Sequence, residues 1–123
     1  MRVSREEFEA LVAKALEDLP EEFQKALQNV AVCVEEEPSA EDLREVGIDP
    51  EDPERDELLG LYQGIPLPEK TIEGTALPDR IVIFRGPILR GCRSRRELLR
   101  QVRETVQHEL GHYFGLEEEE LPF

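Results

Sequence analysis

Residues 94–118, SRRELLRQVRETVQHELGHYFGLEE, decide how this chain folds. Ser94 and Glu97 form a capping box, a pattern in which two side chains satisfy free backbone N–H groups at the start of a helix. Gly115 is placed to end that helix, because glycine adopts the left-handed conformation of a helix C-cap without strain. The pattern therefore predicts one long helix that runs to about Phe114.

This predicted helix carries one apolar stripe. At 100° per residue, six apolar positions fall within about 120° of one another and should face the core: Leu98, Leu99, Val102, Val106, Leu110 and Tyr113. His108 and His112 fall on one edge of the stripe, at about 280° and 320°, and Glu109 falls at about 20°. We therefore expect the two histidines at the border between the packed face and solvent.

The same three residues form the motif H-E-x-x-H, and they include the only two histidines of the chain. Residues four apart on a helix share a face, so His108 and His112 can bind one Zn²⁺ together. Glu109 is rotated away from coordination and can reach a water molecule at the open position of the metal. There it can act as a general base in hydrolysis without a covalent intermediate.

The motif continues as H-E-x-x-H-x-x-G-x-x-E. Gly115 lets the chain turn sharply after the helix, so that a residue three positions later can return to the metal. That residue is Glu118, and a carboxylate is a competent zinc ligand. Two alternatives stay open: Glu117 or Glu119 takes this place, or the acidic tail is merely solvated and the third ligand comes from elsewhere.

The rest of the chain has the signals of short helices and strands. We predict helices over 5–18, 20–27 and 39–47, strands over 30–34, 58–65 and 80–85, and a turn-rich loop over 66–79. The run over 30–34 is rich in β-branched residues and should be buried. Gly86-Pro87 should end the third strand. A length of 123 residues favours a single domain spanning 1–123.

Composition excludes several classes of function. The formal charge of −14 argues against binding nucleic acid or anionic lipid through the overall field. The segment 80–103 is locally basic, with eight arginines and one acid, and should lie against the acidic body or be solvated. No apolar stretch approaches the ~18 residues of a membrane span. Without a secretory signal, Cys33 and Cys92 should be reduced thiols in the cytoplasm.

The segment 108–118 resembles the zincin metallopeptidases, with the spacing of the metzincin-type motif and Glu118 in place of its third histidine. The methionine turn of metzincins is absent, since Met1 is the only methionine. The whole chain is similar to small bacterial zincin-like proteins with a minimal metallopeptidase fold. That resemblance is carried by 60–64, 77–87 and the motif helix.

The resemblance implies an α+β, zincin-like fold with a small mixed sheet of three to four strands, packed on helices that include the C-terminal motif helix. It also implies a peptide or protein substrate, bound as an added strand along strand two or strand three. Tyr62 or Tyr113 could then stabilise the oxyanion, although each also fits a role as a packed aromatic.

The leading hypothesis is a zinc-dependent metallopeptidase with one zinc ion. His108, His112 and Glu118 bind the metal, and Glu109 is the base. The alternative is a non-catalytic metal-binding or regulatory module, because little chain remains for a second wall of the cleft and a partner protein would supply it. A third hypothesis is a metal hydrolase acting on RNA at the basic segment 80–103.

Overall fold

The fold was analysed in a computed structural model that describes residues 1–64 and 79–121, apart from the side chain of Glu118. The predicted loop over 66–79 therefore lies almost entirely outside the described residues. In chain order the elements are α1 (Arg5–Glu17), α2 (Glu21–Ala26), β1 (Val30–Glu35), α3 (Ala40–Glu45), a 3-10 helix (Pro53–Glu57), β2 (Gly60–Gln63), β3 (Asp79–Phe84), α4 (Arg85–Gly91), α5 (Arg95–Phe114) and a 3-10 turn (Glu118–Glu120).

Serine caps begin three of these helices, which confirms the sequence signals. The hydroxyl of Ser4 accepts a hydrogen bond from the backbone N–H of Glu7 at 3.1 Å. Ser39 and Asp42 form a complete capping box at the start of α3. At the start of α5, the Ser94 hydroxyl accepts from the Glu97 N–H at 3.1 Å. Each cap satisfies one free helical donor, so the helices start where the local pattern predicts.

The three described strands form one mixed sheet in the order β1-β3-β2. β1 runs parallel to β3, and β2 runs antiparallel to it. The predicted α+β fold with a small mixed sheet is confirmed. Two details were wrong. β1 is a half-buried edge strand rather than a buried one, and β3 has a neighbour on both sides, so it cannot accept a substrate strand.

The turn after β3 is also a helix, which the sequence analysis missed. Gly86-Pro87 ends β3 as predicted, but α4 begins there, and proline is tolerated in a first helical turn. The backbone N–H of Gly86 donates to the Glu36 carbonyl at 2.8 Å. A Cβ at Gly86 would lie 2.7 Å from that same carbonyl oxygen. Only glycine allows the end of β1 to approach α4 this closely.

The core lies where α1 and α5 pack against the sheet. Phe8 of α1, Ile83 of β3 and Leu98 of α5 are all fully buried. Most of the predicted stripe of α5 is buried, but Leu99 is 48% exposed, so its assignment to the core face was wrong. Leu110 lies slightly farther round the helix than Leu99 and is fully buried, so the exposure of Leu99 depends on its place near the start of α5 and not on its angle.

Leu98 and Leu99 give a matched test of this packing. Leu98→Ala is expected to lower the free energy of unfolding by about 2–5 kcal/mol, because Leu98 is 0% exposed and its truncation leaves a cavity. Leu99→Ala should change it by no more than about 0.5 kcal/mol. Urea denaturation followed by circular dichroism measures both. Equal losses in the two variants would contradict the burial described here.

The basic segment 80–103 rests against carboxylates from other parts of the chain. Five of its arginines make ion pairs: Arg80 with Glu35, Arg85 with Glu36, Arg90 with Glu37 and Asp56, Arg95 with Glu7, and Arg103 with Asp18. Exposed pairs of this kind add little stability individually. They place much of the basic segment against the acidic body, as predicted.

None of the helices in 1–64 and 79–121 combines the length and the apolarity that a membrane span requires. The single-domain organisation and the cytoplasmic location stay predictions.

Candidate metal centre

The motif occupies the C-terminal half of α5, which packs beneath β2. His108 and His112 stand one above the other, with ring centroids 4.6 Å apart. One potential ligand atom from each of His108, Glu109 and His112 lies within 4.8 Å of the other two. The structure therefore brings together the three defining residues of the H-E-x-x-H motif.

This donor set fits a zinc ion. Two imidazoles one helical turn apart, with ligand atoms in a cluster within 4.8 Å, are the kind of nitrogen donors that zinc sites use. Imidazole suits zinc and other late transition metals, whereas magnesium and calcium prefer all-oxygen sites. The side chain of His112 is 53% exposed, so the imidazole is open to an entering ion.

Glu109 differs from the two histidines because it is buried, with 4% of its surface exposed. This burial raises the pKa of its carboxyl group, although the charges of His112 and His108 and a hydrogen bond from the Tyr62 backbone N–H act in the opposite direction. Nδ1 of His112 lies 3.2 Å from Oε1 of Glu109. A carboxylate has about four acceptor positions, so these contacts leave room to receive a proton from water.

The raised pKa makes the stability of the metal-free protein depend on pH. The fold favours the protonated form of Glu109. The contribution of this group to the free energy of unfolding is therefore complete below the pKa of glutamate in the unfolded chain, about 4.3. It is lost as the pH rises through the higher pKa of the folded state. Glutamine stays neutral throughout. Metal-free Glu109→Gln is therefore expected to melt about 2–5 °C above wild type at pH 7.5 and at the same temperature at pH 4.

Differential scanning fluorimetry of chelator-treated protein measures this difference. Glu22→Gln is the matched control, because Glu22 is exposed on α2 and should give no gain at either pH. A Glu109→Gln variant that melts at or below wild type at pH 7.5 would contradict the desolvation of this carboxylate.

A cleft of about 300 Å³ opens above the motif. One wall is the segment 58–61, which leads into and forms the start of β2, and the other is the face of α5 that carries Gln101, Thr105 and His108. Val46, just after α3, lines the same cleft. The cleft thus joins the His-Glu-His group to an apolar trough beside the sheet.

The backbone of β2 faces this cleft with alternate residues. The Phe84 N–H donates to the Leu59 carbonyl at 2.9 Å, and in an antiparallel pair the next residue, Gly60, points its N–H and C=O away from the partner strand. Tyr62, two residues further on, does the same, and its outward N–H is the one bonded to Glu109. The outer edge of β2 is therefore both the wall of the cleft and the support of Glu109.

The chain turns back after α5 as the glycine predicts. Gly115 has a φ of 70°, and the N–H of Leu116 donates to the Gly111 carbonyl at 2.8 Å. The backbone of Glu118 lies in the following 3-10 turn, but its side chain is outside the described part of the structure. Glu117 and Glu119 are exposed and do not belong to the His-Glu-His group. Glu118 as third ligand stays a prediction.

The two tyrosines proposed for the oxyanion have packing contacts. Tyr113 is 3% exposed, and its hydroxyl donates to the Ala26 carbonyl at 3.3 Å. The ring of Tyr62 packs 5.7 Å from that of Tyr113, and its hydroxyl oxygen is buried. Neither side chain is among the residues lining the cleft. The part of Tyr62 that meets the site is its backbone N–H, which no side-chain pattern in the sequence indicates.

Comparison with known proteins agrees with this geometry. Residues 27–122 match the family described as zincin-like metallopeptidase. The chain belongs to this family. The match includes the sheet and the whole of α5, so the zincin-like fold and its His-Glu-His group are found in one continuous stretch.

A solved structure of similar fold supports this assignment. The structure of a conserved hypothetical protein from Thermus thermophilus is similar to this chain, with a TM-score of 0.58 and 28% sequence identity. The alignment covers 91% of this chain and 94% of that protein. No curated protein matches the chain. The likeness thus extends over nearly the full length of both chains, while the description of the relative names no activity.

Proposed function

We propose that this zincin is a zinc-dependent peptidase in which Glu109 is the general base. The observation that carries the proposal is the position of Glu109. Its carboxylate is buried beside both imidazoles and opens onto a cleft walled by β2, whose outer edge pairs with no other described strand. A buried carboxylate with a raised pKa, within reach of a metal site, suits proton transfer near neutral pH.

Each residue of the group has a separate task in the proposal. His108 and His112 hold the metal, and Glu118 is the proposed third ligand. When bound, a zinc ion supplies Lewis-acid polarisation of a carbonyl and lowers the pKa of water. Glu109 accepts the proton from the attacking water at its free carboxylate position, and then delivers it to the departing amine.

The outer edge of β2, which has no strand partner within 1–64 and 79–121, supports a peptide as the substrate. The N–H and C=O of Gly60 point toward the cleft and can pair with an extended backbone, which is how peptides add to open sheet edges. The Tyr62 N–H is already used by Glu109. A bound peptide would therefore pair with Gly60 and then pass over Glu109 and the two histidines.

Metal content and peptide cleavage, measured on the same preparation, test the proposal. Zinc-loaded protein, dialysed and analysed by inductively coupled plasma mass spectrometry, should hold one zinc per chain. The same sample should cleave members of a mixed peptide library, followed by mass spectrometry. A chelator should abolish cleavage, and added zinc should restore it. One zinc per chain without cleavage of any peptide would reject the peptidase while leaving the metal site intact.

A non-catalytic metal-binding module is the second candidate, and the size of the cleft favours it. The volume of about 300 Å³ lies at the lower end of the range of about 300–1,000 Å³ for ligand sites. A partner protein could supply a further wall. Cleavage that appears only when a co-purifying partner is added would favour this candidate. The ion pairs of the segment 80–103 weigh against the third hypothesis, hydrolysis of RNA.

A further inference from the structure

We infer that Gly60 is a positioning residue for Glu109: its missing side chain lets α5 approach β2 closely enough for the Tyr62 backbone N–H to hold the carboxylate. The catalytic consequence of this inference rests on the proposed function. The structural consequence, the hydrogen bond between the Tyr62 N–H and Glu109, does not depend on it. Nothing in the H-E-x-x-H motif itself indicates this role, because Gly60 lies about fifty positions earlier in the chain.

The space around Gly60 is filled by the motif helix. A Cβ at this position would lie 2.9 Å from Cγ2 of Thr105 and 3.1 Å from Cγ of Glu109. It would also lie 3.2 Å from the carbonyl oxygen of Val82 in the neighbouring strand. These distances are shorter than van der Waals contact between carbon atoms, about 3.5–4.0 Å. A side chain here must push α5 away from β2 or bend Glu109.

The atoms around Gly60 are packed, so making room for a side chain there would shift residues of the His-Glu-His group. Thr105 is 5% exposed, so its methyl group can move only by displacing the atoms packed around it. The backbone of Val82 is held in the centre of the sheet by β1 and β2. Cγ of Glu109 is two bonds from its Cα, so moving it displaces the carboxylate directly. A side chain at position 60 is therefore expected to displace Glu109 and the helix α5 that carries it.

The close approach of α5 to β2 brings the Tyr62 backbone N–H within hydrogen-bonding reach of Glu109. This N–H points away from β3 because it alternates with the bonded residues of β2, and it donates to Glu109. An amide on a strand edge is otherwise solvated and exchanges its proton readily. The pairing thus uses one edge donor of β2 to orient the proposed base, which also lies beside the imidazoles of His108 and His112.

Gly91 provides the matched control for a substitution at Gly60. A Cβ at Gly91 meets no atom within 4 Å, and its φ is not in the left-handed region. Gly91→Ala should therefore leave cleavage unchanged and should not lower the stability of the fold. Gly60→Ala, by the same change of one methyl group, is expected to lower kcat about 10-fold or more, since small misplacements at a catalytic group are costly. KM and zinc content should stay within about twofold of wild type, because the backbone groups of Gly60 and the histidines are retained.

A double-substitution cycle separates positioning from general damage. If Gly60 acts through Glu109, adding Gly60→Ala to Glu109→Gln should not lower the residual rate further. Additive losses in the two variants would overturn the inference. Should Gly60→Ala fold poorly, the variant Gly60→Ala/Thr105→Ser removes the 2.9 Å contact with Cγ2 and keeps the contact with Glu109. Its kcat should stay about 10-fold below that of Thr105→Ser alone.

Amide hydrogen exchange tests the inference without any substrate. In wild type, the Tyr62 N–H should exchange at least about 10-fold more slowly than in Glu109→Ala, because that variant removes its acceptor. Gly60→Ala should lose the same protection, and Gly91→Ala should keep it. Protection of Tyr62 that is unaffected by both Glu109→Ala and Gly60→Ala would overturn the inference. If no peptide is cleaved but this exchange pattern is found, the proposed function fails and the positioning role stands.

Discussion

Glu109→Gln is expected to lower peptide cleavage by about 10²–10⁴-fold, the range in which a positioned general base contributes. Glutamine has nearly the shape of glutamate, and its side-chain oxygen can still accept the hydrogen bond from the Tyr62 N–H. It cannot take a proton from water at neutral pH. The loss should fall on kcat, and zinc content should remain at one ion per chain, because the two imidazoles are unchanged.

The control for this prediction is Glu22→Gln, which makes the same chemical change on the exposed surface of α2. Its kcat/KM should stay within about twofold of wild type, as expected for a surface substitution. A Glu109→Gln variant that keeps its zinc and cleaves within about 10-fold of wild type would exclude Glu109 as the base. The metal site would survive that result, because the imidazoles do not depend on the role of Glu109.

His108→Ala and His112→Ala are each expected to weaken zinc binding by about 10²-fold or more. Loss of an outer-shell partner of a metal ligand typically costs about 10–100-fold in affinity, so the loss of a ligand itself should exceed that range. Competition with a chromogenic zinc chelator measures the affinity of each variant. Cleavage should vanish with the zinc and should not return at saturating metal, since only one of the two imidazoles remains.

Gln107→Ala is the control for the histidine variants, because Gln107 neighbours His108 on α5 but lies outside the His-Glu-His group. It should bind zinc like wild type. The same titration decides the third ligand. Glu118→Ala should weaken binding about as much as a histidine substitution, whereas Glu117→Ala and Glu119→Ala should not. Affinity that is unchanged in Glu118→Ala would place the third ligand elsewhere in the chain.

The two expected effects of Glu109→Gln have opposite signs. The variant should be more stable without metal at neutral pH and much less active with it. Both follow from one fact: a carboxylate that is 4% exposed is unfavourable for the fold when charged and suited to proton transfer. Functional sites often contain residues that lower the stability of the fold and at the same time raise the catalytic rate.

Local pattern predicted the elements of this protein well. The serine caps at Ser4, Ser39 and Ser94 determine where three helices start, and Gly115 determines where α5 ends. Each of these signals acts through neighbouring backbone groups, so no tertiary contact is needed to interpret it. The His-Glu-His group was predictable for the same reason, because helical geometry alone brings residues four positions apart onto one face.

Long-range packing accounts for what the sequence analysis missed. The partial burial of β1 and the central place of β3 depend on strand order, which the alternation of side chains does not encode. Leu99 has the same side chain as Leu98 and belongs to the same predicted stripe, yet it is 48% exposed, because burial depends on which neighbouring elements reach that part of α5. The helix α4 depends on the contact of Gly86 with Glu36, which joins distant parts of the chain.

The sequence by itself therefore determined the metal-binding chemistry of this zincin: two imidazoles and a carboxylate, on a helix whose start and end are local. The tertiary structure alone decided how that chemistry is oriented. The Tyr62 N–H can hold the buried Glu109 carboxylate because Gly60 lets the sheet edge approach α5. The physical reason is distance along the chain. Helical periodicity reaches a few residues, whereas the pairing of Gly60 with Glu109 exists only after the strand and the helix have packed together.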